Sequence, residues 1–106
     1  MPKTPEAKVK DKIKKLVKKY GGYYAMPVMH GMAANGTPDF LCCINGWFLA
    51  IEAKAGKNKA TELQKVRLEE IRAAGGISVV VNENDLDRLD HLMAKLHTMP
   101  RRDIDG

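Results

Sequence analysis

The sequence predicts a single mixed α/β domain in which a small mixed sheet is flanked by helices on both faces. Three observations carry this prediction: two apolar runs joined by Asn45-Gly46, apolar stripes at helical spacing around them, and a β-branched run at 77–81. A length of 106 residues suits one domain, and a hydrophobic fraction of 44% indicates a globular chain. The predicted element order is α-β-β-β-α-β-α.

The first predicted element is a lysine-rich helix with Thr4 as its N-cap and Pro5 at its first position. Its apolar stripe consists of Val9, Ile13, Leu16, Val17 and Tyr20. Gly21-Gly22 ends the helix. Residues 1–20 hold eight lysines and two acidic residues, a balance of +6, while the whole chain carries +5. This concentration of charge suits a polyanion such as nucleic acid, and it is equally consistent with a solvated helix face.

Turn residues and apolar runs define the remaining elements. The predicted strands are 23–29, 39–44, 47–54 and 77–81. Pro27 confines the first strand to an edge or a bend. A loop of small residues, 30–37, precedes the second strand, helix two covers 62–74, and Asp85 caps helix three. We expect residues 1–97 to form the domain and residues 98–106 to form a flexible tail.

The cysteines and the apolar runs bear on the compartment. Adjacent cysteines such as Cys42 and Cys43 rarely bridge each other, and they lack the spacing of zinc ligands. We therefore predict that both are reduced thiols in the core of an intracellular protein. No apolar stretch approaches the roughly 20 residues that span a bilayer, and no apolar segment follows the N-terminal lysines as in a signal peptide. A cytoplasmic location is expected.

The predicted hairpin brings acidic residues together. With Asn45-Gly46 as a two-residue turn, Asp39 lies opposite Glu52 on the same face of the sheet. Lys54 follows Glu52 by two residues and shares that face. Two carboxylates and a lysine therefore converge at the open end of an otherwise apolar hairpin.

Two interpretations of this cluster follow. Opposed carboxylates destabilise a sheet, and a divalent cation such as Mg²⁺ or Mn²⁺ between them removes that penalty. Such a cation holds a phosphate and activates water, while a nearby lysine orients the water or stabilises developing charge. Alternatively, Asp39 is a turn residue after Pro38, and Glu52 and Lys54 form an exposed ion pair of little energetic weight. The register that pairs the two carboxylates favours the metal site.

The same residues carry a resemblance to a known family. The motif residues, in chain order, are Gly36-Thr37-Pro38-Asp39, Glu52-Ala53-Lys54-Ala55-Gly56 and Gln64. This ordered set resembles the virus-type replication-repair nuclease (VRR-NUC) branch of the PD-(D/E)xK nuclease superfamily, over about residues 4–97. The resemblance implies a single PD-(D/E)xK nuclease-like domain of the stand-alone phage or bacterial type.

The resemblance also implies roles for individual residues. It implies that Asp39, Glu52 and the backbone carbonyl of Ala53 bind Mg²⁺ or Mn²⁺. It assigns Lys54 to the attacking water. Glu6 in the first helix is the candidate for a further metal-positioning residue, and its alternative is a first-turn acid favoured by the helix dipole.

Gln64 and the lysines have both functional and structural interpretations. Gln64 is either a site residue, as the resemblance implies, or the partner of Thr61 in a capping box. The candidate phosphate contacts are Lys8, Lys12, Lys15, Lys19, Lys57 and Lys59. Contacts of this kind position nucleic acid without reading its sequence.

The resemblance implies a divalent-metal-dependent, structure-selective DNA endonuclease that hydrolyses phosphodiester bonds. Stand-alone members act as homodimers with Holliday-junction resolving or nicking activity in DNA repair and replication. A two-fold dimer suits a four-way junction because paired cuts need paired sites. The alternatives are a non-catalytic nucleic-acid-binding module and a nuclease subunit that depends on a partner such as a helicase.

Overall fold

The computed structural model describes residues 3–28 and 35–101. Its elements are α1 (Pro5–Lys19), β1 (Tyr23–Ala25), β2 (Phe40–Ile44), β3 (Trp47–Ala53), α2 (Glu62–Ala73), β4 (Ile77–Val81) and α3 (Leu86–Thr98). This order confirms the predicted α-β-β-β-α-β-α arrangement. Residue 29 of the first predicted strand, residues 30–34 of the predicted loop and residues 102–106 of the predicted tail lie outside the described residues.

The four strands form one mixed sheet in the order β1-β2-β3-β4. The β1–β2 and β2–β3 pairs are antiparallel, and the β3–β4 pair is parallel. Helix α2 is the crossover between the two parallel strands, as parallel pairing requires. The β2–β3 ladder pairs Ile44 with Trp47 and Phe40 with Ile51, which confirms the predicted register.

Helices cover both faces of the sheet. Helices α1 and α3 pack on the face that carries the main core, and the buried residues of that core are Val9, Ile13, Val17, Phe40, Cys42, Ile44, Leu49, Ile51, Ala53, Val81, Leu89, Met93 and Leu96. Helix α2 packs on the opposite face, where the Ser78 hydroxyl donates to the Leu68 carbonyl over 2.8 Å. Strand β3 is therefore buried on both faces from Leu49 to Ala53, which suits its mostly apolar sequence, whereas β2 is buried on the core face and exposes Cys43 on the other.

Details of β1 and α3 differ from the predictions, and the ends of β2, β3 and α2 differ by one residue. Strand β1 ends at Ala25, two residues before Pro27, which cannot donate to a ladder. Asp85 occupies the N-cap position of α3, but its carboxylate accepts from the N–H of Asn82 over 3.1 Å and caps no helical N–H group. Helix α3 extends to Thr98, and Met99 packs against the core.

The two cysteines lie on opposite faces of β2. Both thiols are free; Cys42 is buried and Cys43 is exposed. The prediction that both lie in the core is wrong for Cys43, because successive side chains of a strand point in opposite directions. Burial raises the pKa of Cys42 to about 12, so this thiol stays protonated.

The hairpin turn is also the anchor of α3. Asn45 and Gly46 both adopt left-handed backbone conformations, with φ of 51° and 83°, as a type I′ turn requires. The side-chain amide of Asn45 donates to the carbonyl of Leu96 over 3.0 Å and to that of Met99 over 2.7 Å. Asn45 thus contributes to the hairpin register and also donates to carbonyl groups at the end of α3. These carbonyl groups have no hydrogen-bond donor within the helix.

Asn45→Gly separates these two functions of Asn45. Glycine keeps the left-handed backbone but loses the amide, so we expect the free energy of unfolding to fall by about 1 kcal/mol. Asn45→Ala loses the amide and also strains the backbone, at a further cost of about 1 kcal/mol. Urea unfolding of both variants measures the difference. Wild-type stability in Asn45→Gly would show that the contacts with α3 contribute nothing.

Candidate active site

The open end of the hairpin places Asp39 beside the end of β3. Continuing the ladder one step past the pair of Phe40 and Ile51 sets Asp39 opposite Glu52. The Asp39 carboxylate is fixed there, because its Oδ2 accepts from the backbone N–H of Ala53 over 2.9 Å. The predicted proximity of Asp39 to the Glu52-Ala53-Lys54 segment is therefore present in the structure.

Glu52 is a buried carboxylate at the centre of the cluster, with only 3% of its surface exposed. Its Oε2 accepts from Gln64 Nε2 over 3.0 Å and lies 3.3 Å from Lys54 Nζ. Its Oε1 is buried and has no hydrogen-bond partner within residues 3–28 and 35–101. A buried acceptor without a partner is costly, and it marks this position as one that can take a ligand.

Lys54 is the cation held against Glu52. Its backbone N–H donates to the Val81 carbonyl over 2.9 Å, which extends the β3–β4 ladder one residue past β3. Its side chain is 14% exposed. The alternative of an exposed Glu52–Lys54 ion pair is therefore wrong, because both side chains are largely buried.

Gln64 closes the capping box and also contacts Glu52, while its role in catalysis stays a prediction. Its side-chain Oε1 accepts from the Thr61 N–H over 2.9 Å, and the Thr61 hydroxyl accepts from the Gln64 N–H over 3.1 Å, which completes the capping box. Its Nε2 remains free to donate to Glu52. The cap fixes the amide orientation, so the start of α2 presents a donor to the buried carboxylate.

The segment before Asp39 is packed directly on α2. Arg67 Nε donates to the Asn35 carbonyl over 2.9 Å. Gly36 has φ of +81°, and a Cβ at this position would lie 2.8 Å from the backbone of Leu63. Glycine is needed there for both reasons, and the close approach joins the Asp39 segment to the first turn of α2.

Lys10 is a site residue that the sequence analysis missed. Its Nζ lies 3.5 Å from Asp39 Oδ1 and 3.5 Å from Glu6 Oε2. The spacing of Glu6 and Lys10 gives an ordinary i,i+4 ion pair on a helix, so nothing in the sequence separates Lys10 from the other lysines. Glu6 contacts the cluster through Lys10, and its role toward a metal stays a prediction.

The charged groups of the cluster shift one another's pKa values. Burial, followed by the negative charge of Asp39, raises the pKa of Glu52 to about 7, although the ammonium of Lys54 opposes the shift. Partial burial opposes the charged form of Lys10, but the Asp39 and Glu6 carboxylates outweigh it and raise the pKa of Lys10. Lys10 therefore remains a protonated counter-ion of these two carboxylates at neutral pH.

The residues fit a hard divalent cation in their chemistry. The carboxylates of Asp39 and Glu52 lie opposite each other, and one oxygen of Glu52 has no hydrogen-bond partner among the described residues. Carboxylate oxygens are the ligands that Mg²⁺ and Mn²⁺ prefer. Within the described part of the chain, no group of three or more His, Cys, Asp or Glu side chains is placed to hold a metal. Further ligands would have to be backbone carbonyls, such as that of Ala53, or water.

The predicted phosphate contacts are all exposed. They are Lys8, Lys12, Lys15, Lys19, Lys57 and Lys59. On α1, Lys19 Nζ lies 3.2 Å from Asp90 Oδ2, and Asp87 and Asp90 line one groove with the lysines of this face. The loop that carries Lys57 and Lys59 borders a groove that Glu6 also lines. The loop lysines thus follow the Glu52–Lys54 segment closely in the chain, whereas Lys19 pairs with an acidic residue of α3.

Comparisons with known proteins add no relative. No family model, curated protein or solved structure matches this chain. The class of the site therefore rests on its residues and their geometry. In the parts of the chain that the structure describes, no helix is long and apolar enough to cross a membrane.

Glu52→Gln tests the energetic cost of the buried carboxylate. The folded protein binds the Glu52 proton more tightly than the unfolded chain, whose ordinary value is 4.5. Wild-type stability therefore falls as the pH rises from about 4.5 to about 7. In EDTA, we expect Glu52→Gln to gain on the order of 3 kcal/mol relative to wild type between pH 4.5 and pH 8.

Urea unfolding of Glu52→Gln at several pH values measures this gain. The matched control is Glu62→Gln, which removes an exposed carboxylate at the start of α2 and should show no such pH trend. A stability difference between Glu52→Gln and wild type that is the same at pH 5 and pH 8 would contradict the buried charge.

Gln64→Glu tests the double contact of Gln64. Glutamate can still close the capping box with Thr61, but it places a carboxylate where Gln64 donates to Glu52. Gln64→Ala loses both contacts without adding charge. We expect Gln64→Glu to be less stable than Gln64→Ala at pH 8, by about 1–2 kcal/mol, and to recover at pH 5. Thermal unfolding of the two variants and of wild type at pH 5 and pH 8 measures these differences. Equal stability of Gln64→Glu and wild type at pH 8 would refute the contact between Gln64 and Glu52.

Proposed function

We propose that this domain is a PD-(D/E)xK nuclease of the VRR-NUC type, which hydrolyses phosphodiester bonds in DNA with the aid of Mg²⁺ or Mn²⁺. The observation that carries the proposal is the buried Glu52, which has one unpartnered oxygen among the described residues, whose other oxygen is held by Lys54 and Gln64, and whose carboxyl group interacts with Asp39. A sheet gains nothing in stability from a carboxylate placed opposite the buried Glu52, so a function accounts for the pair best.

Each residue of the cluster has a chemical task in this proposal. Asp39 and Glu52 would hold the cation, with the Ala53 carbonyl as the expected backbone ligand. When bound, a divalent cation neutralises phosphate charge and lowers the pKa of water. The Lys54 ammonium donates hydrogen bonds to the attacking water or to the phosphate oxygens, where negative charge develops.

Gln64 and the Ala53 N–H orient the two carboxylates. Gln64 holds Glu52 Oε2, so the second carboxylate oxygen keeps one direction. The Ala53 N–H fixes Asp39 in the same way. Ligands that are held before the substrate arrives need little reorganisation during the reaction, and this is the main electrostatic contribution of such a site.

The proposed substrate is branched DNA, such as a four-way junction that is resolved or nicked by a homodimer. The supporting observations are the motif order and the exposed lysines, which suit phosphate contacts without base readout. The proposed location is the cytoplasm of a bacterium or a phage-infected host. The lysine-rich α1 also favours one alternative, a non-catalytic nucleic-acid-binding module.

The decisive experiment is cleavage of a labelled four-way junction, with matched duplex and single strand, in Mg²⁺, Mn²⁺ or EDTA. We expect metal-dependent cutting by wild type and a loss of at least about 100-fold in Asp39→Asn and in Lys54→Ala. Lys65→Ala is the matched control, because it removes an exposed lysine that pairs only with Glu62 among the ion pairs of α2. Its rate should equal that of wild type.

Two outcomes would contradict the proposal. Salt-sensitive DNA binding without cutting in either metal would leave the binding module or partner-dependent subunit. Cutting that persists in EDTA, or in Asp39→Asn, would show that the chemistry occurs elsewhere or comes from a contaminant.

A further inference from the structure

Lys10 occupies the most exposed side of the carboxylate cluster. Its ammonium lies 3.5 Å from Asp39 Oδ1, and it lies at the same distance from Glu6 Oε2. Its side chain is 27% exposed, compared with 14% for Lys54. The two lysine side chains therefore differ in solvent exposure: Lys54 is enclosed beside Glu52, whereas Lys10 reaches Asp39 from the surface of α1.

The four carboxylate oxygens of Asp39 and Glu52 have different partners. Asp39 Oδ2 is held by the Ala53 N–H, and Glu52 Oε2 is held by Gln64 and Lys54. Glu52 Oε1 has no hydrogen-bond partner among the described residues. Asp39 Oδ1 is left to Lys10 alone among the ion pairs of the cluster. A cation that binds each carboxylate through the oxygen with fewer hydrogen bonds would meet Lys10 at Asp39.

The Lys10 ammonium has a second carboxylate partner, Glu6, within reach. Glu6 lies one helical turn before it, and the two side chains already form an ion pair. A long, flexible side chain can move off Asp39 and keep its contact with Glu6, so the ammonium needs no new partner. Both contacts are longer than a charge-assisted hydrogen bond, whose usual length is roughly 2.7–2.9 Å, so neither carboxylate holds the Lys10 ammonium rigidly.

We propose that Lys10 is the exchangeable counter-ion of this site: it neutralises Asp39 while no metal is bound and must leave Asp39 Oδ1 before a divalent cation can bind. The inference rests on the proposed metal-dependent function. Lys10 is then a positioning residue that tunes metal affinity through charge competition. Removing its charge strengthens metal binding, although most substitutions near a metal site weaken it.

The test measures metal binding without DNA. Wild type, Lys10→Gln, Lys10→Arg and Lys14→Gln are freed of metal and titrated with MnCl₂ by calorimetry, with the shift in melting temperature as a second readout. We expect Lys10→Gln to bind Mn²⁺ on the order of fivefold more tightly than wild type, since a partly exposed charge is screened by solvent. Lys10→Arg keeps the charge and should bind like wild type.

Two further variants serve as controls for the titration. Lys14→Gln removes the same charge one turn further along α1, where Lys14 pairs with Asp11, and should leave Mn²⁺ affinity unchanged. Asp39→Asn should abolish the Mn²⁺ signal, which assigns that signal to this site rather than to surface acids.

The outcomes separate the two proposals. Mn²⁺ binding by wild type with no gain in Lys10→Gln, or with an equal gain in Lys14→Gln, would overturn the role of Lys10 alone. No Mn²⁺ binding by wild type or by Lys10→Gln would overturn both the counter-ion and the metal-dependent function. If Lys10→Gln unfolds, Lys10→Met supplies the uncharged variant and must show the same gain.

Discussion

The two-residue turn at Asn45-Gly46 is the constraint on which the rest of the structure depends. A strand alternates faces at every residue, so one residue more or less in this turn would move Asp39 away from Glu52 and turn the core side chains outward. The turn is held from two sides. Its left-handed backbone conformation fixes the register, and the Asn45 amide binds the end of α3. The turn therefore determines which residues face each other at the open end of the hairpin, where the carboxylate cluster lies.

The cluster places charge where burial opposes it, and the fold compensates with a small set of contacts. Each carboxylate has one lysine and one neutral donor: Lys54 and Gln64 for Glu52, and Lys10 and the Ala53 N–H for Asp39. The compensation is incomplete, because Glu52 Oε1 has no partner within the described chain. Such a site is less stable than an apolar packing of the same volume, and it is ready for a cation.

The sequence predicted those parts of the molecule that depend on local rules. The hairpin register, the capping box of Gln64 and the approach of Asp39 to Glu52 follow from turn chemistry and strand alternation, and all are present. Lys10 could not be predicted, because its contact with Asp39 depends on how α1 lies across the end of the sheet. The exposure of Cys43 follows from strand alternation, but it also required knowing that no helix covers β2 at that position.

Helix α2 links the order of folding to the state of Glu52. The hairpin closes over two residues and forms early, on a timescale of roughly microseconds. Strand β4 pairs with β3 only after the longer crossover through α2 has closed, and Gln64 reaches Glu52 at that stage. We therefore expect Glu52 to stay hydrated in the early hairpin and to lose its water when α2 and β4 dock. Conditions that reduce its charge, such as acid or a bound cation, act on the docking of α2 and β4 and leave the speed of hairpin formation unchanged.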